Sequence, residues 1–248
     1  MFSCRGLEHS YLGRFPALRG IDLDVARGER VILLGANGCG KSTLLKILAG
    51  LVPPTAGTVH AFAEPLTEDA LADEQFSRAF RSRVGFVFQN SDAQVFSPTV
   101  REEIEFGCRQ LGLDDRATAA RTGDALALLE IGDLAERTPF QLSEGQRKRV
   151  AIASVLVMNP QVLLLDEPTA ALDPRTRHRL RELLDSLHAA GRTIVLATHD
   201  LETPDPRTDR AVVLGEDHTL LCDAPAAHVL TDLDLLARAN LIHRPDRP

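Results

Sequence analysis

Short apolar runs recur along the chain, each bounded by polar or turn-forming residues. Runs of four or five residues with this pattern are typical of strands that are buried on both faces of a parallel sheet. They lie at residues 31–34, 84–88, 162–165, 193–197 and 211–214. Two other segments, 21–25 and 58–62, alternate apolar with polar residues, and this period of two predicts antiparallel strands with one face in water.

The pattern becomes helical between about residue 90 and about residue 160. Apolar positions recur with helical spacing over 119–129 and 146–158, and this block interrupts the series of strands. Another helix is predicted after Asp173-Pro174, because a capping residue and a first-turn proline precede a stripe of leucines that stops before Gly191. We therefore predict an α/β fold with a mainly parallel sheet, an N-terminal antiparallel β subdomain and an inserted α-helical subdomain.

The pattern of apolar and polar residues divides the chain into two parts. Residues 1–223 form the main domain, with the helical subdomain of about 90–160 inserted in it. Residues 224–248 form a C-terminal extension that is helical in part and ends in a polar tail over 244–248.

Composition restricts the class of protein. A chain of 248 residues that is 44% hydrophobic can bury the core of one domain with a subdomain. The net charge of −7 argues against a broad nucleic-acid-binding face, so we expect no nucleic-acid partner. No apolar run approaches the roughly 20 residues of a membrane-spanning helix, and the first residues lack the apolar core of a signal peptide. We expect the protein to stay in the cytoplasm, where a membrane partner is still possible.

A glycine-rich segment, which we call the phosphate loop, follows the first predicted buried strand and precedes a predicted helix. It fits the pattern G-x-x-x-x-G-K-[ST] and consists of Gly35, Ala36, Asn37, Gly38, Cys39, Gly40, Lys41, Ser42 and Thr43. Its glycines let successive N–H groups surround anionic oxygens, and the helix N-terminus adds partial positive charge. Lys41 can reach the β- and γ-phosphates and Ser42 can bind Mg²⁺, which predicts a P-loop NTPase core.

Two further motifs suggest the rest of the site. The strand at 162–165 ends in Asp166 and Glu167, at the edge where α/β sheets bind ligands. Asp166 would hold Mg²⁺ and Glu167 would act as general base on the attacking water; an ordinary acidic turn is the competing interpretation. Ser143 and Gln146 fit a capping box, and a helix start that also contains Gly145 can receive a γ-phosphate.

In this order the motifs resemble those of the nucleotide-binding domain of ATP-binding-cassette (ABC) proteins over roughly residues 1–223. The Walker A loop matches 35–43, the signature 142–146, the Walker B strand 162–167 and the D-loop 171–173. The resemblance implies that Gln89 reads the γ-phosphate and Mg²⁺, that His199 contacts the γ-phosphate and that Tyr11 stacks on adenine. It also implies that Asp173 touches the opposite subunit near its phosphate loop.

The resemblance thus assigns three overlapping sets of residues, with ATP and Mg²⁺ as cofactors. The catalytic set is Glu167, His199, Lys41 and Gln89, and the metal ligands are Ser42, Gln89 and Asp166. The nucleotide-binding set is the whole phosphate loop with Tyr11, Gln89, Ser143, Gly145, Gln146 and Asp173. Members of the family pair head to tail, so that ATP lies between the phosphate loop of one copy and the signature of another copy or a paralogue.

Two segments narrow the resemblance to energy-coupling-factor ATPases. These are residues 89–107, which include a Gln-Asn-x-Asp-x-Gln-x-Phe-x-Pro-Thr-Val run, and residues 147–153. Such ATPases drive importers of cobalt, nickel or vitamins, and residues 236–243 look most like the cobalt and nickel members. We expect an ATP-hydrolysing importer subunit at the cytoplasmic face of the membrane. The alternatives are a vitamin-type importer ATPase, a soluble ABC ATPase and a regulator that does not hydrolyse ATP.

The resemblance also implies a docking position for integral membrane subunits. Asp92, Glu102 and Glu103 lie on or near a short helix that is predicted to begin at Ser97-Pro98, and family members receive arginine-bearing helices of a membrane subunit there. A solvated acidic helix end is the competing interpretation.

The sequence departs from the family pattern at two places. Glu144 replaces the usual signature glycine, and Pro204 and Pro206 are expected to shorten the helix that often follows His199.

Overall fold

The computed structural model describes residues 1–243 as two sheets with flanking helices; the predicted tail at 244–248 lies outside the described residues. The first sheet is antiparallel, has the order β2-β1-β4-β5 and consists of β1 (Phe2–Tyr11), β2 (Phe15–Val25), β4 (Ala56–Ala61) and β5 (Glu64–Pro65). The second has the order β10-β9-β3-β8-β7-β6 and consists of β3 (Arg30–Leu34), β6 (Val84–Val87), β7 (Val162–Asp166), β8 (Thr193–Thr198), β9 (Arg210–Leu214) and β10 (Leu220–Pro225).

The predicted strands are present in the predicted kind of sheet. All five short apolar runs form strands of the second sheet and pair in parallel. Within the described part of that sheet, β10 is the antiparallel strand, and it pairs with β9. Along β3, Val31 and Leu33 pack into one apolar cluster while Ile32 and Leu34 pack into another. Because successive side chains of a strand point to opposite faces, a strand between two cores needs an unbroken apolar run.

Sequence reasoning missed β1, and the pairing with β2 shows why. The register shifts between Cys4 and Leu7 and again between Leu7 and His9, so the buried residues do not alternate regularly along the strand. Irregularities of this kind remove the period of two that identifies a strand. The edge strand β10 was missed as well, since it contains no fully buried residue.

Along residues 1–243, helices lie between successive strands, in the inserted block between β6 and β7, and after β10. They are α1 (Lys41–Leu48), α2 (Glu68–Ala72), α3 (Glu74–Arg83), α4 (Val100–Gln110), α5 (Asp115–Leu128), α6 (Glu144–Leu156), α7 (Pro174–Ala189), α8 (Ala226–Thr231) and α9 (Leu233–Arg238). Helices α1, α5, α6 and α7 correspond to predicted helices, and α8 and α9 to the extension that is helical in part. Helix α4 packs against both α5 and α6. Helices α2 and α3 were missed, because they are short and begin, capped by Thr67 and Asp73, in a stretch that is mostly polar.

Two local predictions can be compared directly with the backbone. The helix expected at Ser97-Pro98 begins later, at Val100, because Thr99 caps it and forms a capping box with Glu102. Between Thr198 and Arg210 the chain forms turns instead of a helix, in the segment that contains both prolines. Within residues 1–243, no helix has the length and apolarity needed to cross a membrane.

A buried ion pair anchors the strand that follows these turns. Arg30, at the start of β3, donates to Asp209, whose side chain is 1% exposed, and also pairs with the exposed Asp185. Asp209 accepts a second hydrogen bond from the backbone of Asp205, so it connects the turn segment to the sheet.

We expect Asp209→Ala to lower the free energy of unfolding by about 3 kcal/mol, because it leaves Arg30 buried with only the exposed Asp185 and Thr208 as partners. Urea unfolding followed by circular dichroism measures this change. Asp24→Ala is the matched control, since Asp24 is 61% exposed in its ion pair with Arg5. The free energy of unfolding of this variant should equal that of the parent within experimental error. Equal effects of the two substitutions would contradict the role assigned to Asp209.

Candidate nucleotide-binding site

The phosphate loop leaves β3 and curls tightly before entering α1. A Cβ atom at Gly35 would lie 2.5 Å from Sγ of Cys39 and 2.6 Å from the carbonyl oxygen of Leu214. At Gly40 it would lie 2.2 Å from the carbonyl oxygen of Ala17. Both glycines also have positive φ, at 153° and 114°, so the curve of the loop requires glycine at each position.

The predicted phosphate and metal ligands meet at this loop. The Lys41 ammonium is buried and donates to the carbonyl oxygens of Gly35 at 2.7 Å and Ala36 at 2.9 Å. The Ser42 hydroxyl donates to Oδ1 of Asp166 at 3.0 Å, which joins the end of β7 to the start of α1. Lys41 therefore lies folded along the loop, and two of the three predicted metal ligands are in contact.

The environment of Asp166 fits a bound cation. Burial raises the pKa of the Asp166 carboxyl, the hydrogen bond from Ser42 opposes this rise, and the nearby charge of Glu167 adds to it. A divalent cation would favour the ionised carboxylate, and hydroxyl, carboxylate and amide oxygens are the ligands that Mg²⁺ accepts. The residues present therefore fit Mg²⁺.

Glu167 is held by two neighbours at the end of β8. Its Oε1 accepts from Nδ1 of His199 at 2.8 Å and its Oε2 accepts from the Thr198 hydroxyl at 3.1 Å. Because an ionised carboxylate only accepts, this contact requires the imidazole proton on Nδ1. Glu167 also has a φ of 46°, a left-handed conformation that costs free energy in a non-glycine residue and is found at functional sites. The arrangement suits a general base with a fixed orientation.

A cavity of about 390 Å³ brings these groups together. It is lined by the phosphate-loop residues Asn37, Gly38, Gly40, Lys41, Ser42 and Thr43, by Gln89, Asp166 and Glu167, and by Tyr11, Phe15, Pro16 and Ala17. The structure thus places Tyr11 and Gln89 beside the phosphate loop. The Tyr11 hydroxyl lies 3.2 Å from Oγ1 of Thr43.

Phe15 is a rim residue that sequence reasoning missed. It is paired with Tyr11 in the β1–β2 register and is 62% exposed, so the two aromatic side chains stand at the same end of the hairpin. Phe15 belongs to no motif. Its position could have indicated it, because it is an aromatic residue four positions after Tyr11, across the turn formed by Leu12 to Arg14.

The signature residues form a second, separate site. At the start of α6 the Ser143 hydroxyl accepts from the Gln146 amide at 3.3 Å, and Oε1 of Gln146 accepts from the Ser143 amide at 2.9 Å, so the predicted capping box is present. A cavity of about 320 Å³ here is lined by Ser143, Glu144, Gly145, Gln146, Arg149, Ala171, Leu172, Asp173 and Thr176. It shares no lining residue with the phosphate-loop cavity. One chain therefore does not bring the two halves of the predicted site together.

Asp173 is the N-cap residue of α7 in its own chain. Its carboxylate accepts from the backbone amides of Arg175 and Thr176, both at 3.0 Å, and from the Thr176 hydroxyl at 2.6 Å. The side-chain hydrogen bond with Thr176 is the main reason that the pKa of the Asp173 carboxyl is lowered. Asp173 thus caps α7, while its contact with an opposite subunit stays a prediction.

Two further residues that sequence reasoning missed hold the Gln89 segment. Lys148 is buried in α6 and donates to the carbonyl oxygens of Phe88 and Gln89, and Gln94 bridges Phe88 and Ala151. Lys148 stands between two arginines, and such a basic run is usually solvated. The helical spacing could have predicted the burial of Lys148, since position 148 lies on the same helix face as the buried positions 151, 152 and 155.

The comparisons with known proteins agree with this geometry. The family described as ABC transporter matches residues 18–170. The nickel import ATP-binding protein NikO of Rhodobacter capsulatus is 48% identical over 97% of this chain and 95% of its own. The energy-coupling factor transporter ATP-binding protein EcfA of Methanoculleus marisnigri is 41% identical over 97% of this chain and 85% of its own.

Among solved structures, the dimeric ATP-binding cassette MJ0796 in a post-hydrolysis state, bound to ADP and Pi, superposes with a TM-score of 0.83. It is 30% identical to this chain, and the superposition covers 91% of this chain and 99% of that one. These matches confirm the resemblance drawn from the motifs: the chain belongs to the ABC transporter family.

Proposed function

We propose that this chain binds ATP with Mg²⁺ and hydrolyses it as a subunit of an energy-coupling-factor type importer for a transition-metal ion such as nickel or cobalt. The observation that carries the ATPase part is the convergence of phosphate loop, Asp166, Glu167 and His199 at one sheet edge. The transported ion rests on similarity to a nickel import protein and on the likeness of residues 236–243 to cobalt and nickel members. A vitamin importer ATPase is the second candidate, because the similar EcfA is named for energy coupling and its name specifies no metal.

The described geometry supports the following division of tasks. The phosphate loop and Lys41 bind the phosphates, while Tyr11 and Phe15 offer aromatic faces to the adenine. Ser42, Asp166 and Gln89 would hold Mg²⁺, which supplies positive charge to the phosphate oxygens. Glu167 takes a proton from the attacking water, and His199 keeps that carboxylate oriented. The contact of His199 with the γ-phosphate stays a prediction.

A second subunit completes the site. Because the signature cavity is separate from the phosphate-loop cavity, the Ser143 hydroxyl and the start of α6 reach a γ-phosphate only across an interface with another copy or a paralogue. An anion shared by two surfaces stabilises the closed pair, and hydrolysis removes that contact. Glu144 is exposed at the start of α6 and adds negative charge beside this position.

The proposed docking region for membrane subunits needs one correction. Glu103 is not a surface residue: it is 3% exposed, and its carboxylate accepts from the backbone amides of Phe96 and Ser97. It shapes the loop before α4. Asp92 is 63% exposed in an ion pair with Arg147, and Glu102 is exposed while closing its capping box.

A groove beside these residues supports docking there. It has a volume of about 940 Å³, runs between α3 and α4, and exposes the edge-to-face rings of Phe96 and Phe106. Exposed aromatic side chains are enriched in protein–protein interfaces. We place integral membrane subunits over this groove, which would attach the chain as a peripheral protein to the cytoplasmic face of the membrane.

Replacing the proposed base tests the ATPase mechanism. We expect Glu167→Gln to lower kcat by about 100-fold or more, because an amide cannot accept the proton of water at neutral pH. The variant should also accumulate as an ATP-bound dimer on size-exclusion chromatography. Glu202→Gln removes an exposed carboxylate just beyond His199 and is the matched control that keeps the parental rate. A parental rate in Glu167→Gln would refute the assignment of the base.

Charge reversal tests the docking region. We expect Asp92→Arg and Glu102→Arg to reduce co-purification with membrane subunits and metal uptake in cells, with the ATPase rate of the isolated chain retained. Glu64→Arg, on the exposed edge strand β5, is the control for added charge. Assembly and uptake that survive both reversals would move the docking region elsewhere.

A further inference from the structure

Lys148 is buried in an environment of backbone carbonyls. Its side chain is 2% exposed, and its ammonium donates to the carbonyl oxygen of Phe88 at 3.0 Å and of Gln89 at 2.5 Å. Burying an ammonium group costs free energy that an apolar side chain at the same place would avoid. A lysine here therefore calls for a reason beyond packing.

A second side chain reinforces this connection. Oε1 of Gln94 accepts from the Phe88 amide at 3.0 Å, and its Nε2 donates to the carbonyl oxygen of Ala151 at 2.9 Å. Both backbone groups of Phe88 are thus bound to α6 directly or through Gln94. The residue pair Phe88–Gln89, which follows β6, is held to α6 by hydrogen bonds at positions 148 and 151.

Helix α6 itself begins with the signature. Ser143 caps it, and Lys148 follows five residues later, a rise of about 7.5 Å along the helix. Gln89 lines the phosphate-loop cavity, whereas Ser143 lines the signature cavity. Lys148 therefore connects a residue of one half-site with the helix that carries the other half-site of the same chain.

We propose that Lys148 is a positioning residue of the ATPase, which fixes the Gln89 backbone so that its amide side chain faces the γ-phosphate and Mg²⁺. By the same contacts it keeps Gln89 in register with the signature helix. This inference rests on the role of Gln89 in the proposed function. Lysine suits the task because one flexible ammonium donates to two adjacent carbonyls at once.

The test measures steady-state ATPase kinetics of the full chain carrying Lys148→Met. Methionine has similar length and no donor, so we expect kcat to fall about 10- to 100-fold, as for residues that orient a metal ligand. KM and the calorimetric affinity for ATP should stay within about twofold, because the phosphate loop is untouched. The melting temperature should change little, because the desolvation cost of the buried ammonium is removed together with its two hydrogen bonds to backbone carbonyls.

A double-mutant cycle with Gln89→Ala separates positioning from a general effect on the fold. If Lys148 acts through Gln89, the double variant should have the kcat of Gln89→Ala alone. A merely structural lysine would instead give multiplied losses. Ser154→Ala, which removes a hydroxyl from the far end of α6, is the control and should keep the parental kcat.

The outcomes distinguish a failure of the role proposed for Gln89 from a failure of the role proposed for Lys148. A parental kcat in Gln89→Ala would refute the proposed role of Gln89. A reduced kcat in Gln89→Ala together with a parental kcat in Lys148→Met, or with multiplied losses in the double variant, would overturn the inference on Lys148 alone. If Lys148→Met does not fold, Lys148→Gln replaces it in the same cycle. That variant keeps amide donors on a shorter side chain, and the same two outcomes apply.

Discussion

The parallel pairing of four neighbouring strands is the constraint on which the site depends. Strands β3, β6, β7 and β8 end at the same edge of one sheet. Each strand end delivers a different group there: the phosphate loop after β3, Gln89 after β6, the two acids at the end of β7 and His199 after β8. Ser42 and Asp166, which are 124 positions apart, become hydrogen-bonded neighbours because strand pairing, rather than any local motif, fixes their separation.

Close packing at this edge makes the site rigid. Glycines at positions 35 and 40 let the loop approach neighbouring carbonyls more closely than a Cβ atom would permit. Glu167 keeps a left-handed backbone because its amide donates to the carbonyl of Ala197 and its carboxylate is held by Thr198 and His199. The surrounding hydrogen bonds thus maintain a conformation that an isolated turn would avoid.

The helical subdomain carries the signature residues, which lie outside the phosphate-loop cavity at this edge. Its signature residues open a cavity of their own, and in the proposed function a second subunit brings that surface to a γ-phosphate. Within the chain, α6 contacts the Gln89 segment through Lys148 and Gln94. The same subdomain forms the side of the groove that exposes Phe96 and Phe106. In the proposed function, nucleotide binding, pairing of subunits and docking would therefore act on one connected set of helices.

Much of this could be predicted from local sequence, because the determining interactions are local. Apolar runs that fill both faces of a strand, the phosphate-loop pattern, and capping boxes specify short segments without reference to the rest of the chain. They were sufficient to predict the α/β fold and to name the phosphate-loop residues, Asp166 and Glu167 of the cavity. Gln89 and Tyr11 were assigned through the resemblance to ABC proteins, and Phe15 with its neighbours on the rim was missed.

Other features depended on contacts between distant segments, which leave no periodic signal. Bulges concealed β1, and the burial of Glu103 and Lys148 followed from the packing of α4 and α6 against the loops after β6. Charged residues such as these look solvated in a sequence, and only tertiary structure supplies the backbone amides and carbonyls that hold them inside. Sequence alone thus determined which chemical groups the site contains, whereas the tertiary structure decided which charges are buried and which half-sites one chain keeps apart.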